Sequence, residues 1–264
     1  MEVDKYDDGV PGWVDLGSPD MDAARAFYSG LFGWDIPPGP EEAGGYSIAM
    51  LRGRPVAGIG PAMNPGPPVW ATYVIVDSAD AVAKKVKDNG GTALVEPMDV
   101  LDAGRMAVFM DPKGAVFSVW QPGVMPGAGI VNEPNSYSWS ELATSDVDGS
   151  KKFYGAVFGW GHQSYGEAEG PMGGYTEWKI GDRSIGGMMP RPPQLPAEVP
   201  DYWGVYFAVA DIDATAAKVK ELGGAVHVGP MAIEPGIFAM VADPQGAMFS
   251  VMQLSPQRAA SGNA

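Results

Sequence analysis

The chain has 264 residues, and its 17 basic and 32 acidic side chains give a net charge of −15, so nucleic acid and anionic membrane are not expected as partners. It contains no cysteine, which excludes disulfides and thiolate metal sites. Since the N-terminus MEVDKYDDGV is acidic and no apolar run reaches the length of a membrane span, we expect a cytoplasmic protein.

The first elements along the chain are a strand and an amphipathic helix. We predict a strand over 13–16 and a helix over 21–32, because apolar residues recur there every three or four positions. Ser18 or Asp20 can cap the helix, and Gly33 can end it. Further strands are predicted at 45–51, 55–60, 70–76, 92–96, 104–110 and 115–120, with a second helix over 78–89. We interpret this order of elements as two successive β-α-β-β-β units.

The second half repeats the first. The segment WVDLGSPDMDAARAFYSGLFGWD (13–35) returns as WSELATSDVDGSKKFYGAVFGWG (139–161), and GRMAVFMDPKGAVFSVWQ (104–121) returns as GIFAMVADPQGAMFSVMQ (236–253). An internal duplication of this length predicts two similar domains. We place them at 1–124 and 137–256, joined by a Gly- and Pro-rich linker at 125–136 and followed by a flexible tail at 257–264.

The repeated FYxxxFGW and DPxGAxFSV motifs resemble those of the vicinal oxygen chelate superfamily, which includes glyoxalase I, extradiol dioxygenases and bleomycin-resistance proteins. The chain is most similar to the tandem-domain actinobacterial members described as glyoxalase/bleomycin resistance proteins or hydroxylases. The resemblance implies an α+β fold of two domains. Each is a pair of βαβββ units, four units in total, whose curled mixed sheet has a concave face for a ligand.

The resemblance also implies one divalent metal on the concave strands, held by His, Glu or Gln. The corresponding positions here are Trp13, Ala71 and Ser118 in the first half, and Trp139, Gly204 and Ser250 in the second. Segments 53–63 and 184–192, where glyoxalases have a further ligand, contain no His, Asp or Glu. Neither an indole nor a single hydroxyl is a good ligand. The two histidines, His162 and His227, are not equivalent in the repeat, so we predict no metal and no other cofactor.

Other side chains on the same strands replace the metal ligands. Because residues two apart share a face, Asp15 should accompany Trp13 and Glu141 should accompany Trp139. Both carboxylates are candidate catalytic groups. The predicted ligand-binding residues are Trp13, Tyr73, Arg105, Ser118 and Trp120 in the first half, and Trp139, Tyr206, Ser250 and Met252 in the second. Such a face suits an aromatic or cationic small molecule. The structural alternatives are core packing for the aromatic residues and, for the two carboxylates, a salt bridge to Arg105 or Arg25 or a hydrogen bond to a neighbouring strand.

Four functions compete. The favoured one is a metal-independent protein that binds an aromatic or cationic metabolite or antibiotic. The second is a metal-free hydroxylase-like or tailoring enzyme for an aromatic metabolite, with Asp15 and Glu141 as general base or acid. The third is a glyoxalase-type metalloenzyme with unusual ligands, and the fourth a scaffold. The duplication predicts either a monomer that is itself a pseudo-dimer, or a homodimer.

Overall fold

The computed structural model describes residues 1–63, 66–166, 174–193, 195–196 and 198–255. The first half contains β1 (Pro11–Ser18), α1 (Met21–Phe32), β2 (Ser47–Leu51), β3 (Arg54–Pro61), β4 (Val69–Ile75), α2 (Ala79–Asp88), β5 (Thr92–Val100), β6 (Gly104–Met110) and β7 (Val116–Pro122). The second contains β8 (Ser136–Thr144), α3 (Val147–Phe158), β9 (Gly161–Tyr165), β10 (Tyr175–Ile180), β11 (Arg183–Pro190), β12 (Tyr202–Ala208), α4 (Ile212–Glu221), β13 (Ala225–Ile233), β14 (Gly236–Ala242) and β15 (Met248–Leu254). Within these residues, no helix is long and apolar enough to cross a membrane.

Helix α1 has the bounds that the sequence predicts, because its capping residues define both ends. The Asp20 carboxylate accepts a hydrogen bond from the Ala23 N–H at 3.0 Å, which satisfies one free donor of the first turn. Gly33 ends the helix in the left-handed conformation with φ of 70°. Of the two predicted caps, Asp20 is therefore the one used.

Each half folds into one curled mixed sheet of two paired units. In the first half the strand order is β2-β3-β1-β4-β7-β6-β5, and in the second it is β9-β10-β11-β8-β12-β15-β14-β13. The first strands of the two units run antiparallel side by side, as β1 with β4 and as β8 with β12. The predicted α+β fold is confirmed. The first unit differs from the predicted β-α-β-β-β order at its second strand. Where the third unit has β9 paired with β10, the first unit has one bridge, between Asp35 and Met50.

The hydrophobic cores do not follow the boundary between the halves. One core combines α1 and β1 with Phe207 and Phe249 from the second half. The other combines α2 and β7 with α3 and Trp203. The aromatic rings of Phe32 and Phe207 lie 5.1 Å apart across the boundary. Each core therefore combines residues of both halves, so the two halves pack against each other through shared apolar surfaces.

The two repeated motifs meet at this boundary. The Tyr28 hydroxyl of the first FY pair donates to Asp243 Oδ2 of the second DPxG turn at 3.2 Å. The reciprocal bond runs from Tyr154 to Asp111 at 3.0 Å. All four residues are buried, and an unpaired polar group at such a position costs free energy. These motifs therefore hold the two halves together.

The segment between the halves is part of the packed structure. Ala128 and Ile130 are buried, and the Ala128 N–H donates to the Gly12 carbonyl at 2.8 Å. Arg54 Nε donates to the Gly129 carbonyl at 2.9 Å. The segment thus covers the first half while it connects to the second. The division at 1–124, 125–136 and 137–256 stays a prediction, and the predicted tail at 257–264 lies outside the described residues.

Candidate functional site

The concave face of the first half carries a hydrogen-bonded network around Asp15. The Tyr46 and Tyr73 hydroxyls both donate to Asp15 Oδ2, at 3.1 and 2.9 Å. The Trp13 indole donates to the Tyr46 hydroxyl at 3.1 Å. The strands set this arrangement, because Trp13 pairs with Tyr73 across β1 and β4, and Tyr73 pairs with Ser118 across β4 and β7. The predicted residues Trp13, Asp15, Tyr73 and Ser118 therefore lie together.

The second half repeats this network around Glu141. The Tyr206 hydroxyl donates to Glu141 Oε1 at 2.8 Å, and the Trp139 indole donates to the Tyr175 hydroxyl at 2.9 Å. Tyr175 also hydrogen-bonds the Glu141 carboxylate. Tyr206 pairs with Ser250 across β12 and β15, so the predicted residues of this half lie together as well.

The sequence interpretation missed one tyrosine in each network, Tyr46 and Tyr175. Each ring extends over a glycine of the neighbouring strand. A Cβ on Gly58 would lie 1.7 Å from the Tyr46 oxygen, and one on Gly187 would lie 1.9 Å from the Tyr175 oxygen. A side chain at either position would displace the ring. The repeated Gly-Gly-Tyr sequence at 44–46 and 173–175 was the signal for these two tyrosines.

The network changes the protonation of its members. Burial raises the pKa of Asp15 from its ordinary 3.8 to about 6, although the hydrogen bonds from Tyr73 and Tyr46 oppose that rise. Burial likewise raises the pKa of Glu141. The tyrosine hydroxyls have pKa values well above normal, through burial and then the nearby carboxylate. At neutral pH the tyrosines thus keep their protons and donate hydrogen bonds to the carboxylates.

Beside each network the concave face carries a partly exposed apolar wall, of which the sequence interpretation identified only Val116 and Met248. Strand pairing places Val95 with Val108 and Met98 with Met106, on the side of the sheet that Ser118 faces. In the first half the apolar wall consists of Val95, Met98, Met106, Val108, Met110 and Val116. In the second it consists of Val228, Met231, Phe238, Met240 and Met248. Met98 is 49% exposed and Met231 is 44% exposed, so both walls are open to a ligand.

Three predicted ligand-binding residues have other surroundings. Trp120 is buried, and its indole donates to the Met125 carbonyl at 2.8 Å. Met252 is buried at the equivalent strand position. Arg105 does not face the network, because it shares the opposite side of β6 with the buried Phe109 and forms ion pairs with Asp80 and Asp99 at 3.0 and 2.8 Å. It also pairs with neither Asp15 nor Glu141.

The donors on the concave faces do not fit the divalent metal that the fold family implies. Each network offers one carboxylate, with indole, phenol and hydroxyl groups around it, and these are weak ligands beside His and carboxylate. Within the described ranges, no group of three His, Asp or Glu side chains could hold a metal ion. His162 and His227 are both exposed, on β9 and β13.

A separate cavity lies away from both concave faces. It has a volume of about 160 Å³ and lies between the start of α3 and the turn after β6. Lys113 and Asp146 line it and pair with each other at 3.3 Å. Its charged groups thus already have partners across the boundary between the halves.

The paired units and their concave faces can now be compared with known protein families. The family model of the Glyoxalase/Bleomycin resistance protein/Dioxygenase superfamily matches residues 11–119 and 136–251, and the chain belongs to this superfamily. Its relatives include CFP32 of Mycobacterium tuberculosis, provisionally named a glyoxylase, with 45% identity over 96% of this chain and 98% of that protein. The anthracycline biosynthesis protein DnrV of Streptomyces peucetius is 39% identical over 95% of each chain.

Solved structures support the fold alone, because their sequence identity is low. The Mn(II)-bound glyoxalase from Novosphingobium aromaticivorans superposes with a TM-score of 0.65 at 20% identity, covering 93% of this chain and 82% of that one. The 2,3-dioxygenase LapB from Pseudomonas sp. KL28 superposes with a TM-score of 0.66 at 14% identity, covering 95% of this chain and 96% of that one.

Proposed function

We propose that this protein binds a flat aromatic small molecule on its concave faces without the metal of its superfamily. One observation carries the proposal: in each half, two of the three positions that correspond to metal ligands belong to a hydrogen-bonded network of tryptophan, tyrosine, carboxylate and serine. A network kept in both copies forms a fixed polar floor. The exposed methionines and valines beside it supply the apolar contact area that a flat ring needs.

Charge and similarity narrow the ligand class. A net charge of −15 disfavours anionic ligands and polyanionic partners, and favours neutral or cationic compounds. The relative DnrV is named for anthracycline biosynthesis, and anthracyclines are flat aromatic polycycles. An aromatic metabolite or antibiotic of this kind matches the shape of the apolar walls.

A second candidate function is metal-free catalysis on the same ligand class. It is favoured by Asp15, because burial raises the pKa of this carboxyl to about 6, near the range in which a general base works at neutral pH. Such an enzyme would lose turnover in the double variant Asp15→Asn with Glu141→Gln. Turnover that survives this double substitution would exclude both carboxylates as the base. A glyoxalase-type metalloenzyme, the third candidate, lacks a suitable donor set in either network.

Binding is tested by tryptophan fluorescence quenching with anthraquinone, using protein purified in EDTA. We expect quenching that persists in the chelator. Met98→Glu and Met231→Glu should each weaken binding by placing a carboxylate on one apolar wall, and the double variant should abolish it. Val124→Glu is the control, since Val124 is 73% exposed in the loop after β7. Binding that needs added Mn²⁺ or Zn²⁺, or variants that bind like the control, would contradict the proposal.

A further inference from the structure

The two oxygens of Asp15 have different surroundings. Both tyrosine hydroxyls donate to Oδ2, at 3.1 and 2.9 Å. Oδ1 accepts no hydrogen bond from the residues that the structure describes. In that same part of the chain, the buried side-chain polar atoms without a partner are Trp178 Nε1 and Arg191 Nε. Oδ1 is not one of them, and Asp15 as a whole is half-buried, so this oxygen keeps some exposure at the concave face.

Asp15 is thus an acceptor held rigidly by its inner oxygen, with its outer oxygen available. Two tyrosine donors on one oxygen fix the plane of the carboxyl group. The neighbour of Asp15 on β4 is Ala71, whose small side chain leaves the space beside the carboxyl open. On β7, the strand next to β4, Val116 of the apolar wall is 44% exposed. A polar acceptor therefore borders an apolar surface, which is how a pocket orients a ligand.

We propose that Asp15 Oδ1 accepts a hydrogen bond from a hydroxyl group of the aromatic ligand, so that the first half selects hydroxylated aromatic compounds. This inference rests on the proposed binding function and adds the chemical group that is recognised. A methyl ether at the same ring position cannot donate, and it would leave the carboxylate desolvated and unpaired, which carries a penalty.

The second half supplies a comparison within the same molecule. Glu141 accepts from Tyr206 and also hydrogen-bonds Tyr175. Tyr202 lies close enough for the Glu141 charge to raise its pKa, after the larger effect of burial. Glu141 thus has hydrogen bonds from two tyrosine hydroxyls and a third tyrosine nearby, and the selection is assigned to Asp15.

The test is equilibrium dialysis with 2-hydroxyanthraquinone, 2-methoxyanthraquinone and anthraquinone. The wild type should bind the hydroxy compound about tenfold more tightly than the methoxy compound, as expected for one hydrogen bond to a carboxylate. In Asp15→Asn the amide oxygen can accept from the two tyrosines, which directs the NH₂ group to the ligand. This variant should lose the preference for hydroxyl while it still binds anthraquinone.

Two further variants make the result specific. Asp102→Asn removes an exposed carboxylate in the turn before β6 and should keep the wild-type preference. Ala71→Leu, at a half-buried position beside Asp15, should cover Asp15 Oδ1 and reduce the preference even if Asp15→Asn fails to fold. Equal binding of the hydroxy and methoxy compounds by the wild type would overturn this inference and leave the binding function intact. Binding of none of the three compounds would overturn both.

Discussion

The raised pKa of Asp15 predicts a specific pH dependence of stability. Folding takes this pKa from 3.8 to about 6, so the native state favours the protonated carboxyl. The stabilisation is complete only well below pH 3.8, decreases as the pH rises through 6, and is absent above it. At about 1.4 kcal/mol for each tenfold change, the native state loses about 2 kcal/mol between pH 4 and pH 7 through this one group.

The substitution Asp15→Asn isolates this effect, because asparagine keeps an oxygen for the two tyrosine donors and does not titrate. Urea unfolding of both proteins at pH 4, 5, 6 and 7 gives the difference in their free energies of unfolding. We expect this difference to shift by about 2 kcal/mol in favour of the variant as the pH rises from 4 to 7. A difference that is the same at every pH would refute the assignment of a raised pKa to Asp15.

Other predictions follow from the same geometry. Glu141→Gln should change the pH dependence of urea unfolding in the same direction as Asp15→Asn, because burial raises that pKa too; an unchanged profile would contradict this. Gly58→Ala should destabilise the fold by about 1–3 kcal/mol in urea unfolding, whereas Gly66→Ala, with open space around it, should not; equal effects would exclude the tyrosine contact as the cause. Tyr28→Phe removes the buried hydroxyl that donates to Asp243 and should lower thermal stability by about 1–3 kcal/mol, and an unchanged Tm would show that this bond contributes nothing.

The sequence was informative where local chemistry or the duplication decided the outcome. The ends of α1 follow from Asp20 and Gly33, whose capping geometry is a local property. The convergence of Trp13 with Tyr73 follows from the alternation of side chains on neighbouring strands. The α+β fold with paired units follows from the motifs that occur twice.

The parts that were not predicted depend on contacts between distant segments. Tyr46 precedes β2, whereas Asp15 lies on β1, two strands away. The Tyr46 hydroxyl reaches Asp15 only because its ring passes over Gly58 on β3, the strand between them. The ion pairs of Arg105 with Asp80 and Asp99 likewise depend on how the strand and helix pack, and the sequence does not show them. The two cores, each of which combines residues of both halves, could not be predicted from hydrophobic periodicity. Periodicity shows which face of an element is buried and does not show which other element covers it.

The cores that the two halves share have a consequence for folding during synthesis of the chain. During synthesis the first half emerges before α3 and β15, the elements against which its aromatic residues pack. Until those elements appear, Trp70 and Phe117 lack part of their cover, and the nascent chain presents apolar surface for a long interval. Contacts of such long sequence separation also slow folding. Duplication thus gave this protein two similar networks, and it made the first half dependent on residues near the end of the sheet for its own stability.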